Sequence, residues 1–151
     1  MAFVNIGDVL ERACEFEERL EKYYAAIRDE SQDNGVRLLT YYLSRHRRHL
    51  QQAIDEMEPN LVEHINKVRL KYDIDFSPQK AFHVMEISPT EVKGNELLEA
   101  AVGYDQDLIH LYKQVLEHPL STEAKVFIET LIRTEEKDIV MIKKMIAMDY
   151  F

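Results

Sequence analysis

Apolar residues return every three or four positions along four long stretches of the chain, the spacing that gathers them on one side of an α-helix. The first predicted helix covers about 6–28, with Asn5 as its N-cap and a stripe of Ile6, Leu10, Ala13, Leu20, Tyr24 and Ile27. The second follows Asp33-Asn34-Gly35 and covers about 36–57, with Leu39, Tyr42, Ala53 and Met57 in its stripe; Pro59 either ends it or opens the next turn. The third covers about 95–117, between Gly94 and Pro119, with Leu98, Ala101, Leu108, Tyr112 and Val115 on one side. The fourth starts at Ser121 or Thr122 and continues to about 148 through Ile128, Leu131, Ile142 and Met145. Within each pair the link is short, so each pair is expected to form an antiparallel hairpin.

The stretch at about 58–93 is different. It begins with a helix-like stripe (Leu61, Ile65, Val68, Tyr72), continues irregularly through Phe76, Phe82, Val84 and Ile87, and reaches a capping-box pattern at Ser88-Pro89-Thr90-Glu91. A link of this length can carry the chain back along a bundle before the second hairpin begins. The expected class is therefore all-α, one four-helix domain over residues 1–151 with a long crossover that holds an extra helix. Two independent hairpins, or an up-and-down bundle with an ornate loop, stay open at this point.

Composition supports helices and narrows the partners. With 46% hydrophobic residues in 151, the chain is long enough to bury a core of its own. Gly and Pro number only four each, too few for the turns of a many-stranded sandwich or barrel. The lone Cys14 excludes an internal disulfide framework and a Cys-rich metal site. No apolar run approaches the ~18 residues of a membrane span, and the N-terminus lacks the basic start of a signal peptide, so a cytoplasmic protein without a membrane partner is expected. A net charge of −9 argues against nucleic acid as a partner, since phosphates need a basic face.

The candidate chemistry lies where the stripes are interrupted. Glu17 falls among the apolar positions 10, 13, 20 and 24 of the first helix. His46 and His49 fall on the series 39, 42, 46, 49, 53 of the second, and Asp105 on the series 98, 101, 105, 108, 112 of the third. Glu135 and Asp138 interrupt 128, 131, 135, 138, 142 of the fourth. At about 1.5 Å rise per residue all six sit at similar depth, near the middle of a bundle. The hairpins also repeat one another: Glu17 and Asp105 are 88 apart, while His46 and Glu135, and His49 and Asp138, are each 89 apart. Residues at i and i+3 share a helix face, so each pair can aim at one centre.

Burying an unpaired charge costs several kcal/mol, against a total stability of about 5–15 kcal/mol. Four carboxylates with two neutral imidazoles carry a charge that two divalent cations would neutralise. A metal-free hydrogen-bonded core with two imidazolium groups would also balance part of it, and a rotation of the helices would turn some of these groups to water.

These six positions resemble the ligand pattern of the ferritin-like di-iron carboxylate superfamily, which includes rubrerythrin-like proteins. That family places a Glu on the first and third helices and Glu-x-x-His on the second and fourth. Glu17, His49 and Glu135 match the first-helix Glu, the second-helix His and the fourth-helix Glu, and Asp105 stands at the third-helix Glu. His46 replaces the second-helix Glu, which bridges two metals in the family, and Asp138 replaces the fourth-helix His. The resemblance implies a ferritin-like bundle and a divalent metal cofactor, iron first, with zinc or manganese as alternatives. The substitutions favour one metal on Glu17, His46, His49 and Glu135, with Asp105 and Asp138 forming a weaker second site.

Other features are read as structural. Arg45, Arg47 and Arg48 point off the seam, and His64, His83, His110 and His118 lack partners at ligand spacing. Tyr24 and Tyr112 are expected to be packed tyrosines with bonded hydroxyls, and Cys14 a buried structural thiol. The leading expectation is a metal-binding protein, an oxidoreductase or iron-handling protein if active. The runner-up is a metal-free interaction module that uses Phe16, Tyr23, Leu38 and Tyr41 as a partner or homodimer surface.

Overall fold

The structure, a computed structural model, describes residues 4–45, 49–71, 73, 74, 76 and 90–148. Among these the helices are α1 (Ile6–Glu30), α2 (Asn34–Arg45), α3 (His49–Glu56), α4 (Pro59–Asn66), α5 (Gly94–Leu116) and α6 (Thr122–Ala147). The expected second helix thus corresponds to α2 and α3, which flank residues 46–48, outside the described set. Tyr72, Phe82, His83, Val84, Ile87, Ser88 and Pro89 also lie outside it.

Local chemistry sets the helix ends. The Asn5 side chain accepts the Asp8 N–H at 2.9 Å while Asp8 accepts the Asn5 N–H at 3.0 Å, a reciprocal capping box that starts α1. After α1, Asp33 Oδ1 accepts the N–H groups of Gly35 and Val36, which turns the chain directly into α2. Pro59 opens α4, its missing N–H costing nothing in a first turn. Ser121 caps α6 by accepting the Ala124 N–H.

The crossover can be followed through its contacts. The Ile6 N–H donates to Val68 O (2.8 Å) and the Leu70 N–H to Val4 O (2.9 Å), so the strap leaving α4 runs antiparallel beside the start of α1. This pairing ends the apolar stripe as a helix at Asn66, short of the expected Tyr72. Farther along, Arg12 reaches Ile74 O and Asp73, and the Phe76 ring stands edge-on to Phe16 at 5.6 Å. The strap therefore climbs α1 from its first turn to its middle. Near the other end of α1, burial and then the charge of Glu96 raise the Tyr23 hydroxyl pKa, which puts the start of α5 there. From that end α5 descends past Phe16, with Tyr104 at 5.6 Å, and just beyond its last turn His118 Nδ1 accepts the Lys71 N–H at 2.9 Å. Hence α5 is antiparallel to α1, as the crossover expectation requires.

Around this frame α1 packs on α2, and α5 on α6; α2 also touches α5, and α3 touches both α1 and α6. Two expectations need correction. The buried side of the second leg is Val36, Leu39, Thr40, Leu43 and Leu50, which leaves Tyr42, His49 and Ala53 on its flank rather than at its centre. Phe16 is fully buried between Phe76 and Tyr104, so it belongs to the core and not to a docking surface. No described helix is long and apolar enough to cross a membrane.

Candidate metal centre

Each polar side chain reaches the interior because its helix is pinned there by apolar neighbours one turn away. Ala13 and Leu20 bracket Glu17 on α1, Ala101 and Leu108 bracket Asp105 on α5, and Leu131 and Ile142 bracket Glu135 and Asp138 on α6. All four carboxylates are buried. Asp105, Glu135 and Asp138 each offer an oxygen, and these oxygens lie within 4.8 Å of one another. His49, at the start of α3, brings Nδ1 to 3.3 Å from Glu135 Oε1 with its side chain 12% exposed. Glu17 is buried as well, and its charge, like those of Glu135 and Asp105, acts on the Tyr112 hydroxyl. His46 lies outside the described residues.

Tyr112 changes the picture most. Its ring is fully buried, as expected, but its hydroxyl finds no hydrogen-bond partner among the described residues. Burial, then the carboxylates of Glu135 and Glu17, raise its pKa well above that of a free tyrosine. A neutral O–H that feels these carboxylates and has no hydrogen-bond partner among the described residues is the feature that sequence periodicity could not supply, because Tyr112 reads as one more stripe residue.

The electrostatic problem is quantitative. Two ionised carboxylates 4.8 Å apart repel by roughly 3 kcal/mol at an effective dielectric of about 20, and three make three such pairs. A proton or a cation has to relieve this. The donor set fits a divalent cation: hard carboxylate oxygens with an imidazole nitrogen suit Fe²⁺, Mn²⁺ or Zn²⁺. Among the described residues the group within 4.8 Å is Asp105, Glu135 and Asp138, which joins the two aspartates expected to form a weaker second site to a glutamate expected to hold the first ion with Glu17, His46 and His49.

Cys14, one turn before Glu17, is half-buried, and its thiol donates weakly to Gln51 Oε1 at 3.9 Å. Burial first, then the charges of Glu17, Glu18, Asp55 and Glu11, push its pKa from 9.0 to about 11. The folded value exceeds the unfolded one. The stability from keeping the thiol neutral is therefore fully present below pH 9.0 and lost as pH rises through about 11. At mildly alkaline pH the native thiol should alkylate about a hundredfold more slowly than in urea, in line with its thiolate fraction; equal rates would contradict this.

No family model matches the chain, and no curated protein matches it. Among solved structures it is similar to a protein from Thermotoga maritima, provisionally described as a ferritin-like diiron-carboxylate protein. The likeness covers 97% of each chain with a TM-score of 0.55 at 15% identity. The fold is ferritin-like, and its core carries a buried acidic cluster.

Proposed function

We propose that this chain is a metal-binding protein that holds a divalent ion in its core. The ligands drawn from Glu17, His49, Asp105, Glu135 and Asp138 are joined by His46 from the segment outside the described residues. The observation that carries this reading is the convergence of three buried carboxylates within 4.8 Å, against which His49 and the unbonded Tyr112 hydroxyl are set. Iron is the first choice by resemblance to ferritin-like proteins, including the solved neighbour described as diiron. Zn²⁺ and Mn²⁺ suit the same donors. Bound iron would supply one-electron chemistry, and the role proposed with it is that of an oxidoreductase or an iron-handling protein. The chain's own residues would contribute charge neutralisation from the carboxylates, a nitrogen donor from His49, and a neutral hydroxyl from Tyr112. Because imidazole at position 46 cannot bridge as a carboxylate does, one tightly held ion per chain is proposed, with a second bound more weakly.

Saturating metal should stabilise the fold by mass action: at a hundred times Kd the gain is about 2.7 kcal/mol, or roughly 5–10 °C in melting temperature for a domain of this size. Thermal melts with and without Fe²⁺ (anaerobic), Mn²⁺ and Zn²⁺ test this. His49→Ala should abolish most of the shift, and Asp138→Ala should reduce it less. Identical melts in all three metals would favour the other reading, a metal-free core in which the 3.3 Å His49–Glu135 contact is an ion pair. In that reading the exposed Leu38 and Tyr41 of α2 offer a face for a partner or second copy.

A further inference from the structure

A small pocket of about 20 Å³ opens between α1 and α3, lined by Cys14, Glu17, Glu18 and Gln51. We infer that it is the passage by which a divalent ion reaches the buried carboxylates, an inference that rests on the metal-binding reading above. Its volume matches the room needed by a single water-sized body. Glu18 and Gln51 are exposed and form its mouth, whereas Glu17 is buried and belongs to the polar core, so the same pocket spans surface and site. Its inner wall is Glu17 itself, one of the four buried carboxylates of the core and a proposed ligand.

The surroundings favour a cation. Glu18 also borders a larger depression of about 350 Å³, which it shares with Glu21, Lys22 and Arg28. There the two signs of charge balance, whereas the small pocket is walled by the carboxylates of Glu18 and Glu17 with no basic side chain among its lining residues. A low-dielectric cleft lined by one sign of charge draws in ions of the other. Across the pocket the weak 3.9 Å contact from the Cys14 thiol to Gln51 joins the walls, and the exposed Gln51 amide also donates to Asp55 Oδ1 at 2.9 Å, so swinging it aside costs that surface hydrogen bond.

A passage residue and a ligand differ in kinetics. A wall that obstructs passage slows uptake and release by the same factor and leaves Kd unchanged, whereas a ligand alters Kd. Stopped-flow uptake of Co²⁺ by the intact chain, and its release to excess chelator, measure both. Gln51→Trp should slow both rates about tenfold with Kd within about twofold, and Cys14→Ala should speed both. Glu18→Lys should slow uptake, with the effect shrinking at high ionic strength. Val126→Trp, at an exposed site on α6 away from the pocket, serves as the control and should leave the rates unchanged. Rates unmoved by Gln51→Trp and Glu18→Lys, or a change in Kd without a change in uptake, would overturn the passage. A wild-type chain that takes up no Co²⁺ would instead overturn the metal-binding reading itself.

Discussion

Replacing Glu135 by glutamine is expected to lower affinity for a divalent ion at least about a hundredfold, roughly 2.7 kcal/mol, while raising the melting temperature of the metal-free chain. The opposite signs follow from where Glu135 sits. One oxygen faces His49 Nδ1 at 3.3 Å, and the carboxylate belongs to the group whose oxygens lie within 4.8 Å. Glu135 stands against both His49 and the two aspartates, so with an ion bound its loss would remove a charge and a ligand together. Without one, it is a source of repulsion against Asp105 and Asp138, and an isosteric neutral amide relieves it. Sites built for function are often strained in this way when empty. A purely structural Glu135 gives the reverse result: the variant would lose the His49 ion pair, the metal-free chain would melt lower, and metal would change neither form. Titration with Co²⁺ and paired melts of both chains distinguish these outcomes.

The second large effect concerns the crossover. Phe16→Ala is expected to destabilise the fold by about 3–5 kcal/mol, as deletion of a fully buried aromatic does, a fall in melting temperature of ten degrees or so. Phe16 is fully buried and joins three elements: its own helix, the strap at Phe76 and α5 at Tyr104. The paired change Leu38→Ala, at a residue 66% exposed, should fall within about 0.5 kcal/mol of wild type. Denaturant unfolding of the two variants checks both. A mild Phe16→Ala with a severe Leu38→Ala would mean that the described packing of α1 is wrong.

Much of this arrangement was legible in the residues, and its gaps have physical causes. Glu17 and Asp105 stood out because a single carboxylate in an otherwise apolar stripe breaks a strict period, and Glu135 and Asp138 because a spacing of three keeps both on one face. The crossover was legible from its length alone, but not its path: α4 stops at Asn66 because Val68 and Leu70 pair with the backbone beside Ile6 and Val4, a long-range contact that no local pattern encodes. Phe16 was misassigned because it lies one position off the narrow stripe, and α1 buries a wider face than that stripe, Val9 and Phe16 included, where the strap covers it. His49 was placed at the centre of its seam and stands at the flank, since Leu43 and Leu50 are the buried positions on either side of residues 46–48. The grouping of Asp105 and Asp138 with Glu135, rather than apart from it, depends on how far α5 and α6 approach each other, and spacing along one helix carries no such information.

The metal content of the intact chain is the most direct test of a divalent ion in the core. Purified without chelator, reloaded anaerobically with Fe²⁺ and freed of excess by gel filtration, the wild-type protein is predicted to retain about one tightly held ion per chain by elemental analysis, and Glu135→Gln close to none. Wild-type protein that emerges without metal, and melts at the same temperature before and after loading, would contradict it.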